Sequence, residues 1–66
     1  MRIEILLKQI RQDKGITLKK LSEKSGVSTS HISAIEKNFK MPSLVVMVKL
    51  AKALDVGVTD LYKVIW

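Results

Sequence analysis

The sequence predicts an all-α domain of five short helices, on three observations. Apolar residues recur at helical spacing along most of the chain. Thr17, Ser28 and Ser43 stand as capping residues before such runs, and Gly15, Gly26 and Asn38 stand where runs end. No linker, repeat or low-complexity stretch divides the 66 residues, so residues 1–66 form one domain.

The elements follow in order. Ile3, Leu6, Leu7 and Ile10 fall at i, i+3, i+4 and i+7, one face of a first helix that Gly15 ends. Thr17 caps a second helix, about 18–25, with Leu18, Leu21 and Ser25 on one side and Gly26 closing it. Val27 enters the core. Ser28 caps a third helix to about Lys37, with Ile32 and Ile35 inward, and Asn38 ends it in the left-handed conformation. Phe39 to Pro42 is a loop, because proline cannot continue a ladder and restricts Met41. Ser43 caps a fourth helix to about Leu54, with Leu44, Met47, Leu50, Ala51 and Leu54 as inner positions. Val45, Val46 and Val48 lean towards strand by propensity, but the run is too long and alanine-rich for one. A last helix, about 59–64, buries Leu61 and Tyr62. No sheet is expected.

Composition bounds the function. Twelve basic against six acidic residues give a net charge of +6, which favours a polyanionic partner, nucleic acid before an anionic membrane surface. The lysines are spread over several helices rather than gathered on one polar face, which speaks against membrane binding. The longest apolar run, Leu44 to Val48, is far short of the roughly 20 residues a spanning helix needs. The charged start Met1-Arg2-Ile3-Glu4 is unlike a secretory signal, so a cytoplasmic location is expected. With no cysteine, one histidine, no glycine-rich phosphate loop and no converging carboxylates, neither an enzyme nor a metal or cofactor site is expected. His31 is alone between the core and outer phases of its helix, where flank packing is the expected role. Nothing indicates a small-molecule ligand.

The stretch from Leu21 to Glu36 is the most specific. Ser22 is small where two steeply crossed helices would meet. Gly26 can take positive φ, and Leu21, Val27, Ile32 and Ile35 pin both helices to one core. The third helix presents small polar residues at its front, the shape of a DNA-reading helix-turn-helix over about 17–37.

The chain resembles the Cro/CI-type (XRE) family of helix-turn-helix regulators over nearly its whole length. The likeness lies in Ile10-Arg11, Gly15-Ile16-Thr17-Leu18, the run from Leu21 to Ser28, the run from Ile32 to Lys37, Pro42-Ser43-Leu44 and the run from Leu50 to Leu54. It implies a lambda-repressor-like domain whose helix at about 28–37 enters the major groove of double-stranded DNA. On that likeness, joined to helical phase, Ser28, Thr29, Ser30, Ser33 and Ala34 would face the bases. No Arg, Gln or Asn stands among them for a bidentate base contact, so readout would rest on hydroxyls, thymine methyl contacts and DNA shape. Lys19, Lys20, Lys37, Asn38 and Lys40 are the expected phosphate contacts, whereas Lys49, Lys52 and Lys63 form a solvated face. Family members often pair an arginine and a glutamate beneath the motif, which implies an ion pair between Arg11 and Glu36.

Two features depart from the family pattern. Gly57 stands where a serine cap is common. The fourth helix is apolar almost all round through Val45, Val46 and Val48, and Val64-Ile65-Trp66 forms an apolar end. A two-fold homodimer covering both is expected, which suits a palindromic operator. The function expected is that of a small dimeric repressor. The competing expectation is an antitoxin or antirepressor-type protein-interaction module on the same fold.

Overall fold

The computed structural model describes residues 1–66. The order is strand β1 (Arg2–Ile5), helices α1 (Leu7–Asp13), α2 (Leu18–Ser25), α3 (Thr29–Glu36) and α4 (Leu44–Leu54), a 3-10 turn (Val58–Leu61) and strand β2 (Tyr62–Ile65). The domain is therefore four α-helices with a small two-stranded sheet, not five helices.

The middle of the chain obeys its caps. Thr17, Ser28 and Ser43 each accept, through the side-chain oxygen, an amide three residues on, from Lys20, His31 and Val46. Each thereby satisfies one of the donors that a helix start leaves unpaired. Gly26 ends α2 at φ 76°, and Gly15, Asn38 and Asp55 take the same left-handed conformation at 67°, 61° and 57°. A Cβ built on Gly26 would meet nothing within 4 Å, so the turn asks for glycine by its torsion and not by close approach. Beside it the Ser25 hydroxyl accepts the Val27 amide at 3.1 Å.

Ten residues are buried, all apolar: Leu7, Leu21, Val27, Ile32, Ile35, Met47, Leu50, Ala51, Leu54 and Leu61. Every helix contributes to this one cluster. Ile10, Ile16, Leu18, Val46 and Tyr62 pack against its rim.

Both ends of the chain differ from the sequence expectation. The first helix begins at Leu7, and residues 2–5 are extended. The last segment is a single 3-10 turn followed by a strand. The two strands pair antiparallel, with Arg2 opposite Ile65, Ile3 opposite Val64, Glu4 opposite Lys63 and Ile5 opposite Tyr62. The Leu6 amide continues the ladder to the Leu61 carbonyl at 2.8 Å. The physical reason is the period. Ile3 and Ile5 also alternate with Arg2 and Glu4, a two-residue repeat of β-branched residues that suits a strand once a partner exists. Leu44, expected inward, is 72% exposed, because it lies in the first turn of α4 beyond the edge of the core. Val46 instead turns partly inward.

Candidate nucleic-acid interface

The outer edge of α3 is built from the cap outward. Ser28, Thr29 and Ser30 are exposed, whereas Ser33 and Ala34 are half-buried one turn later. Ile32 and Ile35 are fully buried on the opposite side, and they fix the rotation of the helix. The Ser28 hydroxyl is already committed as acceptor to the His31 amide at 3.2 Å and lies 3.4 Å from the Ser30 hydroxyl. It keeps its O–H as a donor and one lone pair as an acceptor. Thr29, Ser30 and Ser33 keep hydroxyls with no protein partner beyond that one contact. The edge is therefore a row of small groups of either hydrogen-bonding sense, narrow enough for a groove.

Positive charge flanks it. Lys19 and Lys20 are exposed in the first turn of α2, and Lys37, Asn38 and Lys40 are exposed just beyond the C-terminus of α3. None of these lysines is engaged in an ion pair, since the structure holds one salt bridge and it lies elsewhere. The expected base-facing residues thus lie at the cap and outer side of α3, and the expected phosphate contacts in the first turn of α2 and the segment just after α3. His31 is half-buried on the flank of α3, and no cluster of residues able to hold a metal is present.

Beneath this surface lies a clamp. The Arg11 Nε donates to Glu36 Oε2 at 2.7 Å and its Nη2 donates to Oε1 at 3.2 Å, a bidentate pair. The Arg11 Nη1 also donates to the Ile16 carbonyl at 2.8 Å. One guanidinium therefore joins α1, the turn before α2 and the end of α3. Both side chains are nearly buried, 11% and 6% exposed. Sequence reasoning missed the third bond, because a carbonyl acceptor carries no residue signature. Neither Ser25 as partner of the Val27 amide nor Asp60, whose Oδ2 accepts the Gly57 amide at 2.9 Å, was anticipated. The Asp60 contact is the reciprocal half of a capping box, satisfying the Gly57 amide, while the Asp60 amide donates to the Gly57 carbonyl at 3.0 Å in place of a side-chain cap.

The residues singled out for an interface between copies are spread more widely. Val45 is 64% exposed, Val48 47%, Val64 37% and Trp66 93%, whereas Val46 and Ile65 are half-buried. Beside them an apolar groove of 240 Å³ runs between Ile3, Ile5 and Tyr62 on the sheet and Met41, Leu44 and Met47 on the helical side. No helix is long and apolar enough to cross a membrane.

Comparison with known proteins agrees with this geometry. A family profile described as Helix-turn-helix matches residues 7–61, all four helices and the 3-10 turn. The HTH-type transcriptional regulator SinR of Bacillus subtilis (strain 168) is 43% identical over 56 residues, 83% of this chain and 50% of SinR. The HTH-type transcriptional regulator SutR of Escherichia coli (strain K12) is 40% identical over 50 residues, 76% of this chain and 28% of SutR. The chain thus spans half the length of SinR and less of SutR. Among solved structures, the restriction-modification controller protein C.AhdI from Aeromonas hydrophila superposes with a TM-score of 0.79 at 33% identity, covering 82% of both chains. SinR in complex with DNA superposes with a TM-score of 0.76 at 42% identity, covering 80% of this chain and 86% of that one.

Proposed function

The chain belongs to the XRE-type helix-turn-helix family, and from that premise we propose that it is a sequence-specific, double-stranded-DNA-binding transcriptional regulator acting as a dimeric repressor. The observation that carries this is the exposed front of α3, Ser28 to Ser30, set between free lysines on both sides. The relatives are named as transcriptional regulators rather than enzymes, and one of the similar structures holds DNA.

In this reading α3 lies in the major groove with its N-terminus inward. Thr29, Ser30, Ser33 and the donor side of Ser28 meet base edges, and Ala34 packs on a thymine methyl. Lys19, Lys20, Lys37, Asn38 and Lys40 hold the phosphates. About four neutralised phosphates per subunit give a log–log salt slope of about −4. The clamp of Arg11 on Glu36 keeps the end of α3 fixed relative to α1, so that base edges and phosphates are met in one register.

A second copy covering Val45, Val48, Val64 and Trp66 would align two reading helices on a palindromic site. The same exposed apolar residues support a second reading, a protein-binding antitoxin or antirepressor. Selection of duplexes from a random pool at two salt concentrations decides between them. A palindromic consensus whose recovery falls with salt is the expected result; no enrichment above the starting pool overturns the DNA reading.

A further inference from the structure

We propose that two copies of this chain join along the outer edge of β1, in the antiparallel register that sets Ile3 opposite the partner's Ile3 and Arg2 opposite the partner's Glu4. The proposal rests on the two-copy reading above and sets the contact on this edge in place of the exposed valines of α4.

The argument begins with hydrogen-bond parity. In an antiparallel pair, opposed residues alternate between those that exchange both backbone bonds and those that exchange none. The bond from the Leu6 amide to the Leu61 carbonyl marks one step of the ladder. Counting back in steps of two along the observed register, Glu4 with Lys63 and Arg2 with Ile65 also face each other across the ladder. Ile3 and Ile5 therefore aim their amides and carbonyls away from β2. They make none of the backbone bonds formed outside the helices and the sheet, and no side chain reaches them. Backbone groups in this state are a template for another strand. A cleft of 420 Å³ runs along β1, with Asn38, Lys40 and Met41 of the same chain as its far wall.

Parity limits the partner strand to registers that match outward-facing residues with outward-facing residues. Three two-fold registers keep most of β1 paired. One centres on Arg2 and sets it against the partner's Arg2. One centres on Glu4 and sets it against the partner's Glu4. Both put like charges directly opposite, which destabilises a pair. The third centres on Ile3. It sets Arg2 against the partner's Glu4 twice over, at the non-hydrogen-bonded positions where side chains stand closest. Met1 then faces the partner's Ile5, and Ile3 faces its own copy. In the joined sheet Glu4 lies between Lys63 of its own chain and Arg2 of the partner subunit. The apolar face made by Ile3, Ile5, Tyr62 and Val64 doubles in width beside the groove at Leu44. The edge of β2 offers less: self-pairing about Val64 sets Lys63 against an isoleucine, with no opposite charge.

The test is exchange of charge between copies. Arg2→Glu leaves only acidic side chains at positions 2 and 4, and Glu4→Arg leaves only basic ones. By sedimentation equilibrium each variant alone is expected to weaken self-association by about tenfold or more. An equimolar mixture pairs acid with base at every position and is expected to return to within about threefold of the parent. Ile3→Pro, which removes an outward amide and leaves the ladder to β2 intact, is expected to weaken association with unchanged helical circular dichroism. A parent chain that stays monomeric at high micromolar concentration overturns both this proposal and the two-copy reading. A dimeric parent whose charge variants keep its dissociation constant, or whose mixture fails to recover, overturns the β1 edge alone.

Discussion

The side of the domain formed by α2 and α3 differs in kind from the side formed by α4 and the sheet. On the first, directional bonds set the geometry: two serine or threonine caps, a left-handed glycine and a three-way guanidinium clamp. Its outer surface is hydroxyls and lysines. On the second, α4 has its serine cap, yet beside its lysines the exterior bares large apolar side chains, with Leu44, Val45, Met41 and Trp66 more than 60% exposed. Hydrogen bonds hold a shape in water, and apolar contact does not specify one until something covers it. A surface that reads a fixed lattice of base edges needs the first kind of construction, and one that awaits a second protein surface tolerates the other.

Four sets of substitutions, each tied to one feature, test that contrast in falling order of effect. Arg11→Met leaves a nearly buried Glu36 without its partner and is expected to cost about 3 kcal/mol in chemical denaturation, against less than about 0.5 kcal/mol for the exposed Lys8→Met. Equal midpoints for the two would remove the clamp from the account. Gly26→Ala forces a Cβ into the left-handed region and is expected to cost about 1–2 kcal/mol, although nothing obstructs the added atom. Thr17→Ala and Ser28→Ala each delete a cap, at about 1 kcal/mol in thermal unfolding. At a temperature where both stay folded, the loss at Ser28 is expected to weaken duplex binding more than the loss at Thr17. Lys37→Gln and Lys40→Gln are expected to leave stability within about 0.5 kcal/mol while each flattens the salt slope by about one. Val45→Thr and Val48→Thr form the control on the other side, leaving the slope unchanged.

The sequence disclosed the helical body well, because its signals are local. A serine or threonine three residues before a free amide, and a glycine or asparagine after an apolar run, act over one turn. The outer edge of α3 follows from phase once Ile32 and Ile35 are known to be inward, whereas the DNA contacts proposed for it and its flanking lysines rest on the family likeness as well. The termini were misread for the opposite reason. Ile3, Leu6, Leu7 and Ile10 fit a helical repeat as well as Ile3 and Ile5 fit a strand, and the deciding partner lies some sixty residues away at Tyr62 and Val64. The family likeness gave no help there, since the matched segment ends at Leu61 and starts at Leu7. Leu44 shows a third limit: the first turn of an amphipathic helix can overhang the core that its periodicity points to.

Pairing residue 2 with residue 65 also makes the polypeptide nearly a ring. Ordering so long a loop to gain one short ladder carries the largest closure entropy in the molecule, while the helical body is stitched by nearer neighbours. The clasp is thus expected to assemble last and to open first. The proposed pairing edge is then expected to form only after the helical body has already taken shape.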